Sequence, residues 1–146
     1  MPRRADIDPI DIPKLLPDVM LVEIEGTRYR YRLIGTENTQ AQGINATGRY
    51  LDEVLPGPEY RAHVIRLYDE CVRERRALYS ECLFFAPGRG GEPERHTKVL
   101  FMPLSPDGER VNMVFVVQVF FYIDPGTRER HFVEQRPYKE IAHILL

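Results

Sequence analysis

The sequence contains no tryptophan, only two cysteines and almost no excess of charge of either sign. Two cysteines are too few for the disulfide framework of a small secreted protein. Twenty basic residues against 22 acidic ones leave a net charge of −2, which is not typical of a general nucleic-acid-binding protein. The longest apolar stretch, residues 113–123, is interrupted by Gln118 and is too short to span a bilayer. These shortages indicate a cytoplasmic protein with neither a nucleic-acid nor a membrane partner.

The length of 146 residues is typical of one domain with one hydrophobic core. Residues 1–18 form a proline-rich arm in which we expect a short helix that ends at Pro17. Residues 19–123 form the domain, and residues 124–146 form a tail. Apolar residues at helical spacing in the last ten positions predict a second short helix there.

Periodicity predicts five strands and one long helix in the domain. Alternation over residues 20–24 and 28–34 indicates a hairpin, because a tight turn separates the two runs. Residues 59–76 carry apolar side chains three and four apart, which indicates a helix. Three further strands are predicted over residues 78–85, 95–104 and 111–122.

A stretch rich in Gly, Thr and Asn lies between the hairpin and the long helix. We expect Thr36 to cap a helix over residues 37–42, Gly43 to end it, and Gly48 to take a positive φ before another helical turn at 50–55. No Gly-Lys-Ser/Thr tripeptide follows, so the stretch does not fit a phosphate-binding loop. Its glycines are better explained by backbone geometry.

The last strand is apolar on both faces, unlike a strand with one face in water. Met113, Phe115 and Val117 share one face, and Val116 and Phe120 share the other. The long helix can cover one face. The other requires the N-terminal arm, the tail or a second copy of the chain, and we therefore expect a homodimer.

The element order is strand, strand, small helices, long helix and three strands, which resembles a PAS domain. Within that group, the chain resembles a bacterial family of stand-alone PAS-like proteins over roughly residues 5–122. The motifs that carry the resemblance are Asp6-Ile7-Asp8-Pro9, Leu15-Leu16-Pro17, Tyr31-Arg32-Leu33, Gly35-Thr36, Thr47-Gly48-Arg49 with Leu51, and Pro103-Leu104.

The resemblance implies an α+β fold, in which a five-stranded antiparallel sheet has helices across one face and a pocket between them. It implies a non-catalytic sensory or adaptor module in bacterial signalling. Such a module acts through dimerisation or a signalling protein partner, and a small organic ligand is a further possible partner. Residues that match the family pattern, chiefly as scaffold, are Arg32, Gly35, Thr36, Thr47 and Gly48.

A ligand pocket would lie between the long helix and the sheet, with apolar walls and a few polar groups. The same residues would equally form a filled core, and the sequence does not distinguish the two. The predicted pocket residues are Arg32 at the rim, Tyr60, Val64, Leu67, Tyr68, Cys71, Phe84, Phe101, Met113, Phe115 and Val117.

Two other functions remain open. A haem-binding gas sensor would use His63, which the helix pattern places beside the apolar stripe, exposed or partly buried. A small cone-fold enzyme of the isomerase type would pair a tyrosine with a buried acid. Tyr68 and Asp69 are adjacent on the helix and therefore point in different directions, while Tyr79 and Glu81 share a strand face that core packing and solvent exposure explain equally well. The sequence supports no catalytic residue and no metal site, and it leaves any cofactor unknown.

Overall fold

The computed structural model describes residues 1–85, 90–122 and 137–146. Within these ranges no helix combines the length and the apolar character needed to cross a bilayer. The described residues form one antiparallel sheet with helices on one face and the N-terminal arm on the other.

The five predicted strands are confirmed, and the sheet has a sixth. In spatial order the strands run β2-β1-β5-β4-β3-β6, and all neighbours are antiparallel. Their bounds are β1 Val19–Glu25, β2 Arg28–Ile34, β3 Leu78–Phe85, β4 Pro93–Leu104, β5 Met113–Tyr122 and β6 Tyr138–Leu145.

The sixth strand replaces the short helix that we predicted in the tail, and that prediction is wrong. The spacing of apolar residues in Tyr138–Leu145 suits a helix, but β3 would otherwise be an edge strand, whose backbone groups are open to partners from another strand. Pairing from Leu78↔Leu145 to Phe84↔Tyr138 supplies them. The beginning of the tail, residues 124–136, lies outside the described residues.

Three α-helices connect the hairpin to β3: α1 Thr36–Gln42, α2 Leu51–Val54 and α3 Pro58–Glu74. Gly43 ends α1 at φ 77°, and Gly48 has φ 84°, both as predicted. The predicted cap is wrong by one position. Gly35 is the residue before α1, while Thr36 is its first residue and makes no capping hydrogen bond.

The N-terminal arm forms three 3₁₀ turns, Arg4–Asp6, Pro9–Asp11 and Leu16–Asp18, in place of the predicted short helix. Asp8 caps the second turn by accepting a hydrogen bond from the Ile10 amide at 2.9 Å. The closely spaced prolines interrupt any longer helix because they lack the amide donor.

The two faces of β5 are covered by different parts of the chain. Val114 and Val116 are fully buried under the helices. Phe115 lies on the opposite face, in a cluster with β1 and β4 against which Ile7 and Ile12 of the arm pack. The arm thus covers part of the outer face, one of the three solutions that the sequence left open.

Gly35 stands where two segments of backbone almost touch. A Cβ atom there would lie closer than 3.0 Å to the carbonyl oxygens of Leu16 and Pro17, a separation that real Cβ atoms essentially never show. The Gly35 amide also donates to the Val19 carbonyl at 2.7 Å. This close approach holds the end of the arm against the start of α1.

We expect Gly35→Ala to lower the free energy of unfolding by about 3 kcal/mol, because a rigid backbone contact cannot yield to the added methyl group. Urea denaturation measures the change. The control is Gly26→Ala, at φ +62° with nothing within 4 Å, where only backbone strain of about 1–2 kcal/mol applies. A loss at Gly35 no larger than at Gly26 would show that the arm does not pack tightly there.

Candidate functional site

An internal cavity of about 40 Å³ lies between the sheet and the helices α1 and α3. One water molecule needs roughly 10–15 Å³ of cavity volume. The cavity therefore has room for only a few atoms. Its lining residues come from every strand except β6: Met20, Tyr31, Asn38, Gln42, Leu55, Tyr60, His63, Val64, Leu67, Tyr68, Ser80, Cys82, Thr97, Val99, Phe101, Val116, Gln118 and Phe120.

Several aromatic rings of the cavity wall pack against one another or against rings beside the cavity. Tyr68 meets Phe101 edge to face with ring centroids 5.0 Å apart, and the Tyr29 ring lies 5.0 Å from Tyr68. Tyr60 meets Phe84 in the same way at 5.5 Å. Burial raises the pKa of Tyr60 and Tyr68 well above the usual value. Both phenols are therefore neutral at physiological pH.

Two amide side chains from α1 supply polar groups to the wall, in addition to Ser80, Thr97 and Gln118 of the sheet. Gln42 donates a hydrogen bond to the Tyr31 hydroxyl at 3.2 Å, while its own Oε1 is unpaired among the described residues. Asn38 is only 1% exposed, and neither its oxygen nor its nitrogen has a hydrogen-bond partner among the described residues. A buried amide in this state costs about 1–3 kcal/mol, so Asn38 requires an explanation beyond packing.

Five of the predicted pocket residues line the cavity: Tyr60, Val64, Leu67, Tyr68 and Phe101. Cys71 and Phe84 are buried in the clusters beside it without lining it.

The other four predicted residues lie elsewhere. Met113, Phe115 and Val117 point to the outer face, because the side chains of a strand alternate and the helices cover Val114 and Val116. Arg32 pairs with Glu23 at 2.5 Å and is half exposed, away from the cavity.

The sequence analysis did not predict Asn38 as a cavity residue, although its spacing on α1 gave some indication of a buried position. Asn38 and Ala41 are both buried and lie three residues apart on α1, the spacing of one helix face. Thr97 and Gln118 were also missed, because a polar residue in a strand normally indicates the solvent face.

His63 is more buried than the helix pattern indicated, at 9% exposure, and it stands next to β3 and β6. Its Nε2 lies 3.7 Å from Cys82 Sγ and 3.4 Å from Glu140 Oε2. Burial lowers the pKa of His63 and raises that of Cys82 to about 12, so both are neutral at pH 7. A haem does not fit here, since the adjoining space holds only a few atoms.

The two tyrosine–acid pairs considered for an enzyme do not converge on the cavity. Asp69 accepts a hydrogen bond from Tyr29 at 2.6 Å, while Tyr68 packs inward against Phe101. Glu81 accepts short hydrogen bonds from Tyr79 and His96, which lower its pKa instead of raising it. A general acid in a hydrophobic pocket requires the opposite shift.

These features define the class of protein. An antiparallel sheet in the order 2-1-5-4-3, with small helices, one long helix and an internal cavity on one face, is the architecture expected of PAS domains. Among known families, the one described as PAS domain matches residues 1–117, four fifths of the chain. The chain belongs to the PAS domain family, whose members are sensory or adaptor modules and are generally non-catalytic. No curated protein matches the chain.

We expect Asn38→Leu to raise the free energy of unfolding of the ligand-free protein by about 1 kcal/mol, because leucine has the same branched shape and removes the unpaired amide. Thermal and urea denaturation measure the change. The control, Gln42→Met, should lower stability by a similar amount, since it leaves the buried Tyr31 hydroxyl without its donor. A destabilised Asn38→Leu would mean that the amide has partners in solution.

Proposed function

We propose that this PAS domain is a non-catalytic sensory module whose signal is a small, neutral molecule bound in the cavity between α1, α3 and the sheet. The observation that supports the proposal most directly is the Asn38 amide, which is buried, lines the cavity and has no partner among the described residues. Its side chain offers one acceptor oxygen and two donor hydrogens to a ligand.

The chemistry of the wall favours a particular class of ligand. Apolar side chains from α3 and β4 line the same cavity as the Asn38 amide, so a ligand that pairs with this amide must be mainly apolar elsewhere. A charged group would have to lose its water in a site where the nearest phenols and His63 are neutral, which is costly. Small amides, alcohols and ketones fit these requirements. In the conformation described here, the cavity admits only a few non-hydrogen atoms.

The output of such a module is a change in its contacts with another protein.

A cytoplasmic location is part of this proposal, because the two cysteines are both buried and free instead of forming a disulfide. Neither acid of the two tyrosine–acid pairs lines the cavity, and the carboxyl pKa of Glu81 is lowered, which supports a binding function over catalysis.

Native mass spectrometry of the purified protein, compared with its mass after denaturation, is the first test. We expect extra mass that is lost on denaturation, or, for protein purified without ligand, binding from a library of small amides, alcohols and ketones. In the second case, amide chemical shifts should change at Asn38 and Thr97. Asn38→Leu should weaken that binding about tenfold, the equivalent of one hydrogen bond.

The matched control for ligand binding is Val117→Ala, on the outer face of β5. It should leave the affinity unchanged. Equal binding by Asn38→Leu and the parent protein would rule out the cavity as the site. A protein that carries no extra mass and binds no compound of the library would favour a pure adaptor.

A homodimer through the outer sheet face remains our second proposal. The arm covers only part of that face, and the remainder includes Phe121 on β5, 47% exposed, and Ile144 on β6, 49% exposed. Exposed large apolar side chains on one sheet face favour an interface. A second copy of the chain presents the same surface and can complete it in a two-fold arrangement.

We expect Phe121→Asp to convert a dimer into a monomer, because it places a charge on the apolar face. Sedimentation velocity at several protein concentrations measures the state. Ile44→Asp, an equally drastic change at an exposed apolar residue after α1, is the control and should preserve the dimer. Val116 is unsuitable for this test because it is buried under the helices. A parent protein that is monomeric at all concentrations would overturn the proposal.

A further inference from the structure

We propose that His63, Cys82 and Glu140 form a binding site for a zinc ion, which fastens the C-terminal strand β6 to β3 and α3. The three residues come from three different elements, and their ligating atoms all lie within 4.8 Å of one another. Imidazole nitrogen, thiolate sulfur and carboxylate oxygen are the three ligand types that zinc takes from proteins.

The two distances from His63 Nε2 to the other ligand atoms fit a tetrahedral ion. Zinc bond lengths of about 2.0–2.3 Å place neighbouring ligand atoms about 3.3–3.7 Å apart in a tetrahedron. His63 Nε2 lies 3.7 Å from Cys82 Sγ and 3.4 Å from Glu140 Oε2. The third pair of ligand atoms, from Cys82 and Glu140, lies within 4.8 Å, so a small adjustment of these side chains would bring all three groups to one ion. Three protein ligands leave one position for water or another small ligand.

The carboxylate is already held in place by a second layer of groups. Ser80 Oγ donates to Glu140 Oε2 at 2.7 Å, and His143 Nδ1 lies 3.2 Å from Glu140 Oε1. The other ring nitrogen of His143, Nε2, lies 2.7 Å from Oε2 of Glu70 on α3. A carboxylate oxygen has two lone pairs, so Oε2 can accept from Ser80 and still bind a metal. Outer contacts of this kind orient the ligands in known metal sites.

Neighbouring rings fix the imidazole as well. The Tyr138 ring lies 5.1 Å from His63 by centroid, and Tyr60 lies 6.3 Å away on the same helix. His63 and Cys82 are mostly buried, at 9% and 6% exposure, so water competes weakly for the ion. The site is thus preorganised, because packing and hydrogen bonds already hold each ligand near its working position.

The ion would connect the end of the chain to the domain. Among the described residues, β6 is an edge strand that pairs only with β3, and it carries Glu140. Binding releases the thiol proton of Cys82 and adds three metal–ligand bonds between α3, β3 and β6. We therefore expect zinc to protect the backbone amides of β6 from hydrogen exchange.

Titration of the metal-free protein with Co²⁺ tests the site. We expect one ion per chain and an intense near-ultraviolet absorption band from thiolate-to-cobalt charge transfer, which added Zn²⁺ displaces. Cys82→Ser should abolish the band, and Glu140→Gln should weaken binding at least about 100-fold, since the loss of an outer contact alone costs about 10–100-fold. His143→Asn, an outer contact, should fall within that smaller range.

The control is Cys71→Ser, because Cys71 is the other buried cysteine and belongs to the core cluster under α3. It should retain the cobalt band. Circular dichroism shows whether each variant folds, and Glu140→Gln, on a partly exposed edge strand, keeps the test valid if Cys82→Ser does not fold. No thiolate band in the folded parent protein, or an unchanged affinity in Glu140→Gln, would overturn the proposal. The titration contains no small organic ligand, so its result is independent of the sensory proposal.

Discussion

The central strand β5 carries apolar side chains on both faces, and each face has to be kept from water. Burial of an apolar side chain stabilises a protein by roughly 25 cal/mol per Å² removed from water, so an uncovered face would forfeit much of the stability of a domain this small. The helices meet this requirement on one side through Val114 and Val116. On the other side the N-terminal arm does so over Phe115, and Gly35 allows the arm to approach closely enough.

The cavity follows from the way the helical side is covered. α3 packs its long side chains on the sheet, and α1 is short and carries amides where an efficient core would have apolar groups. Protein cores are normally packed to a density that leaves few voids. A buried, unpaired amide beside a void therefore lowers stability, and in a family of sensory modules a function is the physical explanation that we favour.

The two proposed sites share part of one wall. His63, Ser80 and Cys82 line the cavity, and the same three side chains contact or form the cluster with Glu140. A small molecule in the cavity and an ion at the cluster would therefore act on the same stretch of β3. Since β3 is the only strand that pairs with β6 in the described part of the chain, either event would change how firmly β6 is bound to the sheet. An edge strand of this kind is a reasonable element for contact with a partner protein.

The parts of the fold that could be predicted from the sequence are those that depend on residues close together along the chain. The hairpin, α3 and the five strands of the domain were predictable, because alternation, helical spacing and glycine positions are local properties of the chain. The choice between the two faces of β5 was not, since a shift of one residue exchanges Phe115 for Val116. That choice decided which predicted pocket residues line the cavity.

The sequence by itself thus determined the family and the order of the elements. Tertiary structure decided that the end of the tail is a strand and not a helix, because Tyr138–Leu145 pairs with the edge of β3 despite its helical spacing of apolar residues. It also brought His63, Cys82 and Glu140 together from positions that no local spacing connects. Contacts between residues so far apart along the chain depend on the register of the whole sheet, and only the folded structure defines that register.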